Sequence, residues 1–112
     1  MVNPIAHDIN ASTVTINDDF TISGATAEMQ PILTFEAAAG GAEVYINGVE
    51  FTTSNEEAAT YVLDCEHKVI TKNGLNAANE MGGNFPYFIN GENTYEGTGV
   101  TSLTASYKKA YL

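Results

Sequence analysis

The stretch Glu43-Val44-Tyr45-Ile46-Asn47-Gly48-Val49-Glu50-Phe51 leaves the chain little conformational choice. Two alternating apolar and polar segments flank an Asn-Gly pair. Both central residues of a two-residue type I′ turn must accept positive φ, and the twist of that turn matches the strands it joins. The expected hairpin places Ile46 opposite Val49, Tyr45 opposite Glu50 and Val44 opposite Phe51. Side chains alternate between faces along a strand, so Val44, Ile46, Val49 and Phe51 share one face and Tyr45 and Glu50 the other. The apolar face is the predicted core.

Helical periodicity is nearly absent from the remainder, whereas alternation bounded by Asn, Asp and Gly recurs. Residues 13–16 and 20–22 read as strands around an Asn17-Asp18-Asp19 turn. Pro31 opens a strand over residues 32–35, where its missing amide does least harm, and residues 36–41 read as a loop. Residues 61–63 and 68–71 form an antiparallel pair about a Glu66-His67 tip, closed by Lys72-Asn73-Gly74. Ser54-Asn55-Glu56-Glu57 has capping-box spacing, but no apolar helical run follows it, so one short turn is the most expected there. Residues 75–84 are rich in Asn and Gly and read as a long irregular loop. Phe85-Pro86-Tyr87-Phe88-Ile89 is an apolar anchor, Asn90-Gly91 a second turn and Gly97-Thr98-Gly99 a third break. Residues 100–107 alternate, with Leu103, Ala105 and Tyr107 on one side. About seven to nine short strands, with turns every ~8–12 residues, describe an all-β, antiparallel β-sandwich; a barrel is the alternative.

At 112 residues and 11.9 kDa the chain is one domain's worth of protein. Residues 1–12 read as a loosely ordered N-terminal segment of that single 1–112 domain. Fourteen acidic residues stand against four lysines, giving a formal charge of −10. Such a chain lacks the cations that neutralise phosphates, so neither nucleic acid nor an anionic membrane is an expected partner. Cys65 is the single cysteine, which excludes an intrachain disulfide. No apolar run approaches the ~18 residues of a membrane span, and the start carries no visible export signal.

Asp64-Cys65-Glu66-His67 gathers four chemistry-bearing residues, but neighbours on a strand point to opposite faces, and His7 is the only other histidine. A hairpin tip with a buried thiol is the expected reading. Asn17-Asp18-Asp19 lacks the repeated ligands of a calcium loop and reads as turn chemistry. Glu56-Glu57 lies in a solvated loop, where adjacent carboxylates do not face each other across a cleft. Gly82-Gly83 and Gly97-x-Gly99 are followed by no helix that could cradle phosphate. Tyr45, Tyr61, Tyr87, Phe88 and Tyr95 read chiefly as core and hairpin packing, with a saccharide platform as the functional alternative. No catalytic, cofactor-binding or metal-ligating residue is assigned, and no cofactor is expected.

Beyond these readings, an ordered series of motifs resembles the C-terminal part of the distal tail protein family of siphophages, over roughly residues 20–112. Val62-Leu63-Asp64-Cys65-Glu66, followed by Lys68-Val69, is similar to that family's strand and tip. Asn73-Gly74, the Asn-rich loop and Gly83-Asn84-Phe85-Pro86 follow in order. Ile89-Asn90-Gly91-Glu92-Asn93-Thr94-Tyr95, Gly99, and residues 100–107 ending in Lys108-Lys109 and Tyr111-Leu112 resemble its last turn and closing strand. Upstream, Pro31-Ile32-Leu33-Thr34 and Tyr45-Ile46-Asn47-Gly48 match its Pro-opened strand and hairpin. Asn84 and Asn90 depart from the family's usual Asp and Pro but keep turn character.

The resemblance implies a galectin-like, jelly-roll-like sandwich that acts as a structural component of a phage or prophage tail tip or baseplate, not as an enzyme. It implies other tail proteins as partners, and a place in the virion tail after assembly in the bacterial host cytoplasm. The family's ring-forming N-terminal domain has no counterpart here. The isolated domain is therefore expected to be monomeric and a full-length protein hexameric. The alternative is a carbohydrate-binding module for cell-surface saccharide, and a weaker third reading is an adhesin-like or pilus-like surface domain.

The hairpin register is directly testable. Ile46→Asp is expected to unfold the domain, whereas Glu50→Lys should barely move the melting temperature; equal effects would overturn the register.

Overall fold

A computed structural model describes residues 6–111. Residues 1–5 of the segment expected to be loose, and Leu112 of the closing motif, lie outside the described residues. In chain order the strands are β1 (Ala6–His7), β2 (Ser12–Thr15), β3 (Phe20–Ile22), β4 (Ile32–Ala37), β5 (Glu43–Ile46), β6 (Val49–Thr53) and β7 (Ala59–Asp64). They continue with β8 (Val69–Lys72), β9 (Leu75–Asn76), β10 (Met81–Gly83), β11 (Gly91–Asn93), β12 (Tyr95–Thr98), β13 (Val100–Tyr107) and β14 (Ala110–Tyr111). A 3₁₀ turn at Ala78–Glu80 is the only helix among the described residues.

The protein is an all-β antiparallel sandwich. A six-stranded sheet, β2-β13-β4-β7-β8-β9, packs on a four-stranded sheet, β10-β6-β5-β12, and β3-β11 and β1-β14 form two separate two-stranded pairs. The Asn47-Gly48 hairpin forms in the expected register, with Ile46 opposite Val49 and Val44 opposite Phe51. Asn47 and Gly48 both take positive φ, 51° and 80°. Val44, Ile46 and Phe51 are fully buried.

One continuous core lies between the sheets. Phe35 of β4 is its hub: its ring meets Phe51 of the opposite sheet at 5.5 Å and stacks on Tyr61 of β7 at 5.4 Å. Toward the β3-β11 pair, Phe88 meets Phe20 at 5.0 Å and Tyr107 at 5.7 Å, edge to face. Such aromatic pairs add about 0.5–1.5 kcal/mol each beyond area burial. Between β12 and β13 the chain passes from one sheet to the other through a single residue, Gly99. Its φ of +73° and the Gly41 carbonyl oxygen packed against it leave no room for a Cβ.

Several local expectations are corrected. Strand β4 continues through Glu36 and Ala37, residues expected in a loop, because Ala37 is inward-facing and pairs with both Ala59 and Val100. Alanine carries too weak an apolar signal to mark a strand end. Residues 75–84 are not one irregular loop. Asn73-Gly74 turns the chain into β9, and β10 pairs with β6. Gly83 lies so close to the Glu50 carbonyl that only glycine fits, so the side-chain alternation that announces a strand is missing here.

Where the N-terminal segment is described, Ala6 and His7 pair with Tyr111 and Ala110. The Ser54 capping box forms no helix. Its amide and hydroxyl both donate to the Glu80 carbonyl, at 3.0 and 3.3 Å.

Buried Asn55 organises that segment instead. Its Nδ2 donates to the Ala38 and Glu57 carbonyls at 2.9 and 2.8 Å, and its Oδ1 accepts from the Thr53 hydroxyl at 2.8 Å. Asn55→Ala strands buried polar groups and should cost about 1–3 kcal/mol in urea unfolding. Ser54→Ala should cost under about 0.5 kcal/mol. Equal losses would restore the capping-box reading.

Candidate functional site

The β7–β8 tip separates the four residues that sequence places together. Cys65 is fully buried, its amide donating to the Pro31 carbonyl at 3.0 Å and its Sγ 4.0 Å from the Leu63 carbonyl. Burial pushes the thiol up to about 12, the opposite of an activated nucleophile. Asp64 accepts the Glu66 and His67 amides at 3.1 Å each, and its other oxygen lies 2.9 Å from His67 Nδ1. The carboxylate is thus a turn brace. Among the described residues, no three His, Cys, Asp or Glu side chains are placed to hold a metal ion.

The other candidates disperse similarly. Asp18 Oδ1 accepts the Asp19 amide at 2.8 Å, and Asp19 Oδ1 accepts the Tyr95 amide at 2.8 Å. This turn therefore anchors the start of β12. Glu56 and Glu57 are exposed on their loop. Gly82 and Gly83 belong to the β10 ladder, and Gly97 packs under the Tyr95 ring. Tyr61 and Phe88 are core residues, while Tyr87 is half-buried. Only Tyr45 and Tyr95 share a groove, about 450 Å³ in volume, with Asp18, Asp19 and Glu96.

What sequence spacing does not reveal is that the two sheets turn very different faces outward. On the six-stranded sheet one rank crosses every strand: Thr15, Thr104, Thr34, Val62, Thr71 and Asn76. Thr13, Ser106, Ile32, Asp64 and Val69 form the neighbouring rank. Direct cross-strand partners point the same way. Glu36 on a third rank and Asp64 are this face's carboxylates, and Asp64 is engaged by His67.

The four-stranded sheet presents acid instead. Tyr45 stands between Glu50 of β6 and Glu96 of β12, its direct cross-strand partners. Its hydroxyl donates to Glu43 Oε1 at 2.8 Å. Glu50 and then Glu43 push the phenol pKa above its ordinary value, because removing its proton would add a negative charge beside theirs. Sequence reasoning paired Tyr45 with Glu50 through the turn, but Glu96 is fifty-one residues downstream of Tyr45 and reaches it only through the β12–β5 pairing.

Two outcomes test this placement. In the native protein Cys65 should not react with an aromatic disulfide at about pH 8 and should react fully in denaturant; prompt native reaction would contradict burial. Burial raises the Asp64 pKa, but the His67 hydrogen bonds outweigh it and hold the carboxyl below its ordinary 3.8. The Asp64 hydrogen bond chiefly raises His67 above 6.5. The histidine part of this stability is full below 6.5 and lost as pH rises through the raised pKa. The aspartate part is full above 3.8 and lost as pH falls through the lowered one. Wild type should therefore exceed His67→Ala in melting temperature most near about pH 5. A difference that persists unchanged to about pH 9 would contradict the pair. No family model, characterised protein or solved structure matches the chain.

Proposed function

We propose that this protein is a structural component of a bacteriophage or prophage tail tip or baseplate, a sandwich module of the distal tail kind. It acts in assembly and host attachment through contacts with other tail proteins, within a virion tail assembled in the bacterial host cytoplasm. The observation that carries this reading is the outward face of the six-stranded sheet. A chain of charge −10 keeps a face of Thr, Ser, Val and Ile with carboxylates only at Glu36 and Asp64. Interface centres are depleted of charge because burying an unpaired ion is costly. At ~4.8 Å between strands and three ranks along them, this face offers roughly 500 Å², a large part of the ~800 Å² per partner of a standard interface.

The motif order supports the same reading. Asp64-Cys65-Glu66 forms the β7–β8 tip, Gly83-Asn84-Phe85-Pro86 leaves β10, Asn90-Gly91 opens β11, and Gly99 leads into the closing strand. A galectin-like sandwich is the form this reading gives the fold. Enzymatic turnover has no part in it.

A second reading, a carbohydrate-binding module, is favoured by one observation: Tyr45 and Tyr95 share a groove. Tyr61 and Phe88, buried in the core, are unavailable to it.

The test is tail formation in the host that encodes the chain. Deleting the gene should abolish normal tails in electron micrographs. Thr34→Arg, which puts a cation into the neutral face, should fold with a nearly unchanged melting temperature yet fail to restore tails. Normal tails from the deletion strain would overturn the proposal. The isolated chain should be monomeric by light scattering, and a hexamer would contradict that part. Specific binding on a glycan array, lost in Tyr45→Ala, would replace the assembly reading with the carbohydrate one.

A further inference from the structure

Resting on the reading that this protein works through contact surfaces, we propose that the outward face of β12-β5-β6 docks an extended, cationic segment of a partner protein, with Lys or Arg side chains received by Glu43, Glu50 and Glu96 around Tyr45. The face is built by strand pairing. Glu50 and Glu96 flank Tyr45 on adjacent strands, and Glu43 lies two residues along β5 on the same side. Glu50 and Glu96 are thus two strand spacings apart, about 10 Å. That separation suits successive cations of an extended chain on flexible stems, and it disfavours one multivalent ion, which needs its ligands to converge.

The face is also unneutralised. The ion pairs among the described residues are Asp64 with His67 and Lys72 with Glu80, both away from it. Asp18 and Asp19 add two more carboxylates at the groove that borders it. Tyr45, 36% exposed, offers a ring for a cation to lie on. Its hydroxyl is already committed to Glu43, which fixes the ring between the carboxylates.

Charge decides which occupant fits. A second copy carries the same −10; of its four lysines Lys72 is held by Glu80 and Lys68 lies over the Phe85 ring, and Lys108 and Lys109 come on a body whose net charge opposes approach to this face. Nucleic acid and anionic lipid are repelled. A neutral saccharide would cover Tyr45 but leave the surrounding charge uncompensated. A basic protein segment both neutralises the carboxylates and uses the ring, and opposite potentials of this kind set register and speed association.

The experiment is titration of the isotope-labelled protein with hexalysine, followed by amide NMR. Shifts should cluster on residues 43–50 and 95–98, and affinity should fall steeply with salt. Glu50→Gln combined with Glu96→Gln should weaken binding about tenfold or more. Glu56→Gln combined with Glu57→Gln makes the same charge change on a remote loop and should leave affinity within about twofold. Tyr45→Ala should weaken binding and Tyr45→Phe should preserve it, with native spectral dispersion as the check on folding.

Equal weakening by the loop variant, or shifts scattered over the molecule, would overturn the proposal. So would maltohexaose moving the same amides without salt dependence while hexalysine does not. Face-specific binding by a chain absent from tails would remove the tail reading and leave this inference standing. A chain required for tails that gives no face-specific binding would do the reverse.

Discussion

The rest of this structure depends on the turn at Asn47-Gly48. A slip of one residue in the β5–β6 register would exchange Val44, Ile46 and Phe51 for Tyr45 and Glu50, emptying the core and loading it with charge. The same turn residue also fastens a distant segment. Asn47 Nδ2 donates to the Tyr87 carbonyl and to Asn93 Oδ1, both at 2.9 Å, and its Oδ1 accepts the Thr94 amide at 3.0 Å. Asn93, itself fully buried, returns Nδ2 to the Ile89 carbonyl at 2.9 Å and accepts the Ile89 amide at 2.8 Å. A residue selected for positive φ thereby delivers β12 to the edge of β5. That places Glu96 beside Tyr45 and brings Gly99 to the point where β13 must enter the other sheet.

Legibility in the sequence follows the range of the physics involved. The β5–β6 and β7–β8 hairpins are visible because their turn residues and alternation are local, and Cys65 reads as buried because its neighbours on the strand face outward. The β9 and β10 strands are not visible, since asparagine and glycine carry no alternation and Gly83 exists to let β10 approach β6. Ser54 has cap spacing, but the carbonyl it finds is that of Glu80, which arrives with the 3₁₀ turn. The division of strands between sheets is equally hidden: β2 and β3 follow one turn yet pair with β13 and β11.

The candidate surfaces were legible only in halves. Tyr45 beside Glu50 follows from the turn, and the polar alternation of β13 follows from residues 100–107. The complete threonine rank emerges only once six strands lie in register, and the carboxylates about Tyr45 only once distant β12 joins the β5–β6 hairpin. The net charge of −10, in sequence a uniform property, becomes an uneven one between the sheets: Glu43, Glu50 and Glu96 crowd one face of the small four-stranded sheet, whereas the larger six-stranded sheet carries Glu36 and Asp64. In the proposed reading that asymmetry distinguishes a neutral packing face from an electrostatic docking face on one rigid sandwich.

Zero-length carbodiimide cross-linking of intact tail particles, read by mass spectrometry, tests both faces at once, because it joins a carboxylate only to an amine already in contact with it. Glu43, Glu50 and Glu96 are expected to be joined to lysines of a neighbouring tail protein, with no cross-links across the threonine ranks. Cross-links confined to loop carboxylates such as Glu56 and Glu57, with the Tyr45 face unreacted, would contradict the assignment.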